Sequence, residues 1–250
     1  MDSEKHYSHS QHAGNAGDVW KHFILGEVAD HILLRKPKLI YAESHVGYPE
    51  YNLDKSGEWE GGIGRCWTNI SDLKIFCYFD ILYAMNKHGL KCYPGSASLL
   101  FRAAKRRGSL LQAEFWDADP RVANAWKRAE RVSFHLGDGI KGARALIGRS
   151  PSGLLFIDPP YMDQKNSNSS ESLLSASKKA GWTVLLWQMM GQEIIAKSAK
   201  FEIYSLEFEK ADLDGGKWPG AIVYLAGADQ ELKNFVGKRI QEFFKVVQQA

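Results

Sequence analysis

Leu154-Leu155-Phe156-Ile157-Asp158-Pro159-Pro160-Tyr161 is an apolar run that ends abruptly in an acid, two prolines and an aromatic ring. The run reads as a buried strand, Gly153 to Asp158, and the prolines end it because they bring no N–H to a ladder. In open α/β sheets ligands sit outside the carboxyl ends of the strands. The stretch therefore marks both a strand and the edge at which chemistry is expected.

Six further apolar, β-prone runs flank it: Lys38 to Ser44, Leu110 to Trp116, Val132 to Leu136, Trp182 to Gln188, Phe201 to Phe208 and Ala221 to Ala226. Segments with helical spacing separate them, and this alternation predicts a doubly wound α/β domain with helices covering a mostly parallel sheet. The loop at 211–220, Ala-Asp-Leu-Asp-Gly-Gly-Lys-Trp-Pro-Gly, is too short for a crossover helix. The last two strands are therefore expected to form an antiparallel hairpin at one sheet edge. Seven strands with the last one reversed is the arrangement of Rossmann-like methyltransferases.

Two regions interrupt the pattern. Over sixty residues, Val46 to Ser109, separate the first two strands, so a small helical insertion is expected at about 53–95. The Ser/Asn-rich stretch 162–172 after Tyr161 reads as a mobile loop.

The chain has 250 residues, 44% of them hydrophobic and 24% charged, which suits one globular domain over 1–250. No run approaches the roughly 18 apolar residues of a membrane helix, and the first residues are polar, so a cytoplasmic protein is expected. Three cysteines, Cys66, Cys77 and Cys92, with no Cys-x-x-Cys pair, speak against a disulfide framework and a zinc ribbon. The net charge of +3 does not announce a nucleic-acid binder. Arg102, Lys105, Arg106 and Arg107 cluster in an expected helix, either as a basic patch or as an ordinary solvated face.

The chemistry of the opening stretch is that of an amine acceptor site. An exocyclic amine is a poor nucleophile because its lone pair is delocalised. If the Asp158 carboxylate and the Pro159 carbonyl each accept one of its N–H groups, the nitrogen is held near tetrahedral and its lone pair points at a methyl donor. Tyr161 then offers a face on which a flipped-out base stacks, worth about 1 to 3 kcal/mol. By itself the motif fits adenine, cytosine or a glutamine amide.

A second segment, Tyr7-Ser8-His9-Ser10-Gln11-His12-Ala13-Gly14-Asn15-Ala16-Gly17-Asp18-Val19-Trp20-Lys21-His22, narrows the choice. With Tyr93-Pro94-Gly95-Ser96 and Ile157-Asp158-Pro159-Pro160-Tyr161 it resembles the ribosomal RNA large subunit methyltransferase J family over nearly the whole chain. The resemblance implies a class I S-adenosylmethionine-dependent enzyme that methylates an adenine N6 of 23S ribosomal RNA. It implies Asp158 as the catalytic residue, with Tyr7, His9 and Lys21 near the reaction centre and residues 1–22 as a lid. It implies cofactor contacts from His22, His45, Ser96, Glu114 at the end of the second strand, Asp138 and Gly139. A monomer is expected, since a large RNA must reach the carboxyl edge.

The family's glycine-rich turn after the first strand is here Glu43-Ser44-His45-Val46-Gly47-Tyr48-Pro49, which restricts backbone approach to a ligand. Two rival readings follow. One is a nucleic-acid-binding relative without activity, tied to the use of external DNA. The other is a hydrolase with a metal on His6, His9, His12 and His22.

Overall fold

The computed structural model describes residues 12–53, 55–150, 152–160, 164–191 and 201–248, with backbone alone for 164–167. After an N-terminal helix, α1 (Ala16–Leu33), the chain enters β1 (Lys38–Glu43), then β2 (Glu50–Asn52). Three short helices follow, α2 (Ile63–Trp67), α3 (Ile70–Leu73) and α4 (Cys77–Met85), and the excursion closes with β3 (Cys92–Pro94). Next come α5 (Ser96–Arg107), β4 (Leu110–Asp117), α6 (Pro120–Trp126), β5 (Val132–Leu136), α7 (Gly139–Arg149) and β6 (Leu154–Ile157). The rest is α8 (Gln164–Lys179), β7 (Thr183–Met189), β8 (Glu202–Glu207), β9 (Gly220–Ala226) and α9 (Gln230–Gln248).

Seven strands form one sheet in the order β5-β4-β1-β6-β7-β9-β8. All neighbours are parallel except β9, which runs antiparallel to both β7 and β8. The expected Rossmann-like sheet with its last strand reversed is thus present, and the β8–β9 hairpin forms one sheet edge. The short β2 and β3 pair separately, as an antiparallel ribbon that brackets the three small helices.

Strand alternation sorts the core into two layers. Leu39 and Tyr41 of β1 join Leu154 and Phe156 of β6 in the layer that holds α1, α5 and α9. Ala42, Leu155 and Ile157 turn the other way, to Leu146 and Leu173 of α7 and α8. α1 is enclosed on nearly every side, with Trp20, Phe23 and Ile24 fully buried. A helix apolar all round is an internal helix, and the polar groups α1 carries inside must find partners there.

Two expectations change. The Ser/Asn-rich stretch is helical from Gln164 onward; Leu173 and Leu174 are buried and Ser177 donates back to the Leu173 carbonyl at 2.8 Å. Packing of one apolar pair outweighs the weak helix preference of the serines. Of the lid expected over 1–22, residues 16–22 are instead buried helix, with Asn15 as the cap of α1; residues 1–11 lie outside the described residues. The basic cluster on α5 is the solvated face: Arg102 pairs with Glu50 at 2.6 Å, Arg106 with Asp80 at 2.6 Å and Arg107 with Asp30 at 2.5 Å. No helix among the described residues is long and apolar enough to cross a membrane.

Glu27 of α1 is 2% exposed and is held by Arg239 of α9 at 2.6 Å and by the Cys77 N–H at 2.7 Å. The Arg239 guanidinium also lies 4.4 Å from the centre of the Phe76 ring. Arg239→Leu would leave a buried carboxyl without its cation, so a loss of about 3 kcal/mol is expected in urea unfolding; an unchanged midpoint would refute that role.

Candidate active site

Asn15 opens α1 by accepting the Asp18 N–H at 2.9 Å, and Asp18 returns the favour to the Gly14 N–H at 2.8 Å. The small helices fix this turn from outside. Ile63 N–H donates to the Gly14 carbonyl at 2.8 Å, and Glu58 takes Asn15 Nδ2 at 3.0 Å and His12 Nδ1 at 2.7 Å. A Cβ on Gly62 would lie 2.2 Å from the Gly14 carbonyl, so only glycine allows that approach.

One turn further along α1, Lys21 reaches the carboxyl edge of the sheet. Its ammonium lies 2.7 Å from Asp158 Oδ2, just beyond the end of β6, and 2.7 Å from Asp18 Oδ1. The Trp187 ring of β7 lies beneath it, 4.7 Å to the centroid. Burial alone would neutralise the amine; the carboxylates of Asp158 and Asp18 overcome it and hold Lys21 protonated well above the ordinary lysine range. Lys21 is 5% exposed and Asp158 16%, so this pair has little screening from water.

At the end of β1, Glu43 is fully buried and accepts from Ser96 Oγ at 2.6 Å and from the Tyr41 hydroxyl. Burial pushes its carboxyl up to about 8, and these two hydroxyls only partly oppose the shift. His22 is buried, with Nδ1 2.7 Å from the Tyr93 hydroxyl, which takes the Tyr78 O–H at 3.1 Å. His45 follows β1 beside Ser44, 2.9 Å away. Burial lowers its pKa, against the pull of Asp158, Asp117 and Asp138.

The remaining expected cofactor residues divide. Asp138 caps α7 by accepting the Lys141 N–H at 3.0 Å, and that bond holds its carboxyl below the usual carboxylate range. A Cβ on Gly139 would lie 1.6 Å from the Ser44 carbonyl, so the β1 turn and α7 meet only through glycine. Glu114 is a correction, because it is the fifth residue of eight in β4 and not at its end. It lies on the α7 face, bound to His135 at 2.8 Å, and Trp116, two residues nearer the carboxyl edge on the same face, stacks on that His135 ring.

The acid at the end of β4 is Asp117. Its Oδ2 accepts the Gly47 N–H at 3.2 Å and its Oδ1 the Asp119 N–H at 2.8 Å. The signal for it was in the sequence: Asp119-Pro120 is a helix start, with Asp119 the cap and proline first in α6, which extends the strand to 117. Trp187 and Asp18 carried no such signal, since an indole inside a strand and an acid in a first helical turn read as ordinary structure. Tyr161, Tyr7 and His9 lie outside the described residues, as does His6 of the histidine run. His12 and His22 are engaged by Glu58 and Tyr93 rather than by each other.

The carboxyl edge thus gathers a positive-φ glycine turn at Gly47, carboxylates after β4, β5 and β6, and a buried lysine. The family model described as "Ribosomal RNA large subunit methyltransferase D, RlmJ" matches residues 36–188. The chain belongs to this family. Two curated relatives named "Ribosomal RNA large subunit methyltransferase J" agree: the Haemophilus influenzae protein is 31% identical over 166 residues and the Escherichia coli protein 30% over 165. Each match takes in 62% of this chain and 59% of the relative's length. Among solved structures, a Legionella pneumophila protein superposes with a TM-score of 0.69 at 22% identity, covering 93% of this chain and 94% of that one. A Listeria monocytogenes structure, described as belonging to the class I S-adenosylmethionine-dependent methyltransferases, has a TM-score of 0.50 at 9% identity, with 98% and 74% covered. These likenesses concern the fold.

Glu43 gives the site a measurable pH dependence. The unfolded chain releases the Glu43 proton near 4.5, whereas the folded chain keeps it to about 8. Stability from this group is therefore complete below the lower value and falls as pH rises through the upper one. Glu43→Gln keeps a neutral hydrogen-bonding side chain. It is expected to match wild type near pH 5 and to exceed it above pH 8 by at least about 1.4 kcal/mol, the worth of one pKa unit. Parallel urea midpoints for the two proteins across that window would refute the assignment.

Proposed function

We propose that this protein transfers a methyl group from S-adenosylmethionine to the exocyclic N6 of an adenine in 23S ribosomal RNA, in the cytoplasm and as a monomer. The observation that carries the reading is the position of Asp158. It stands at the carboxyl end of a central strand, ahead of two prolines, with one carboxylate oxygen fixed by a buried lysine.

In this reading Asp158 accepts one N6–H and the Pro159 carbonyl the other, which orients the nitrogen lone pair. Lys21 keeps the carboxylate in place, and Trp187 keeps water from the lysine. Charge that grows on N6 during transfer is balanced by the Asp158 carboxylate, and the N6 proton then leaves through that group to solvent. Tyr161 stacks on the flipped base, and Tyr7 and His9 act near the reaction centre.

The donor set fits S-adenosylmethionine, whose bound form supplies an electrophilic methyl. Asp117 would hold the ribose diol in place of Glu114, because a strand-end carboxylate is the one that faces the crevice. Asp138 and Gly139 would receive the adenine end. Ser96, His22 and His45 would line the methionine side. Gly47 is fixed by Asp117 and by Trp126 Nε1, which donates to its carbonyl at 2.9 Å, so the turn keeps a defined shape without the family's extra glycines.

Calorimetric titration with S-adenosylmethionine and transfer of labelled methyl to unmodified ribosomal RNA test these roles together. Asp158→Ala is expected to bind cofactor within about threefold of wild type and to lose transfer by roughly 10²-fold or more. Asp117→Ala is expected to weaken cofactor binding about tenfold or more, whereas Glu114→Ala leaves it near wild type. Equal weakening by Asp117→Ala and Glu114→Ala would overturn the division of roles. A wild-type protein with no affinity for S-adenosylmethionine would overturn the activity itself, in favour of a nucleic-acid-binding relative.

A further inference from the structure

A cavity of about 650 Å³ opens at the amino ends of the strands, opposite the edge that carries Asp158, between the starts of β1, β4, β5 and β6. Its volume is in the range of sites that take a nucleotide-sized group. Lys36 and Lys38 enter it from the approach to β1, and Arg131 from the approach to β5. All three are exposed. Among the described residues none of their side chains makes an ion pair, in contrast to the arginines of α5, each of which is held by a carboxylate.

The rest of the lining specifies the ligand further. Gln112, Ser133 and Ser152 add neutral hydrogen-bonding groups beside apolar side chains from the starts of β1, β4 and β5, and the lining contains no carboxylate and no aromatic ring. Three cations without a counter-charge select an anion. The lack of a stacking face removes the usual means of holding a base, so what fits is a sugar–phosphate chain. Arg131 has φ +60°, a conformation costly for a residue with a side chain, yet it stands at this mouth.

We propose that this cleft is a second contact for RNA, taking the phosphate backbone of the molecule whose adenine reaches Asp158; the proposal rests on ribosomal RNA being the substrate. The two edges are about 20 to 25 Å apart, from the lengths of β1 and β4 at about 3.3 Å per residue. β5 is the outer strand of the sheet, so a backbone can pass along that side from one edge to the other. The amino-edge contact would position the substrate and carry no base information.

The test uses the full chain with Lys36→Gln, Lys38→Gln and Arg131→Asn combined, asparagine being chosen because it tolerates positive φ. Binding of a fluorescein-labelled RNA stem-loop with an unpaired adenosine is followed by anisotropy over a series of salt concentrations. The slope of log affinity against log salt should fall by about 2 to 3, since each lost phosphate contact removes roughly 0.7 to 0.9. Affinity near physiological salt should fall about tenfold or more, with S-adenosylmethionine binding unchanged and the loss of transfer expressed in KM rather than kcat. A Lys36→Gln, Lys38→Gln double variant leaves the Arg131 backbone untouched and should lose about 1 to 2 of slope. An unchanged slope and affinity in folded variants would overturn the proposal. Displacement of the RNA from wild type alone by inorganic phosphate at constant ionic strength would assign the cleft to a small anion and overturn it as well. Absent cofactor binding, with RNA binding still dependent on these three residues, would sink the methyl-transfer reading and uphold the cleft as an RNA contact.

Discussion

An ammonium group removed from water and set between two carboxylates organises the carboxyl edge of this protein. Lys21 could not be charged inside without Asp18 and Asp158, because an unpaired buried ion costs several kcal/mol. The triad links the first turns of α1 to the end of β6, and Trp187 supplies a ring face rather than a hydrogen-bond competitor. The position of Asp158 is thereby set by a helix from another part of the chain as well as by its own strand and prolines.

That arrangement requires α1 to be held with little freedom. Its outer turns are packed by α4, α5 and α9, and its sheet side by β7 and β9. Polar groups then act as locators: buried Glu27 fixes α1 against α9, buried His22 against Tyr93, and the partly exposed Asn15 cap against Glu58 of the excursion between β2 and β3. The small helices thus contribute to the site by bracing the turn that precedes Lys21.

The sheet was legible because strands buried on both faces are near-continuous apolar runs, and the reversed final strand was legible from the short loop at 211–220. Asp158 was legible because proline ends a strand abruptly. Glu114 was misplaced because an acid inside the run Gln112 to Asp117 looks like a strand end, whereas alternation puts it on the α7 face, bound to His135. The serines of α8 were misread because their local preference is for loops, while Leu173 and Leu174 decide the matter through contacts remote in sequence. The pairing of Lys21 with Asp158, 137 residues away, could not be seen in any local window.

The pairing of α1 with α9 also sets an order of events during synthesis. Glu27 and Arg239 are 212 residues apart, and Phe243 is stacked on Phe23 with ring centroids 4.9 Å apart. Domains tend to consolidate as units while the chain emerges at about 5 to 20 residues per second. Here the side of α1 that carries Phe23 and Glu27 lacks its α9 partner until the last helix has been made, although α4 and α5 pack on α1 from earlier in the chain.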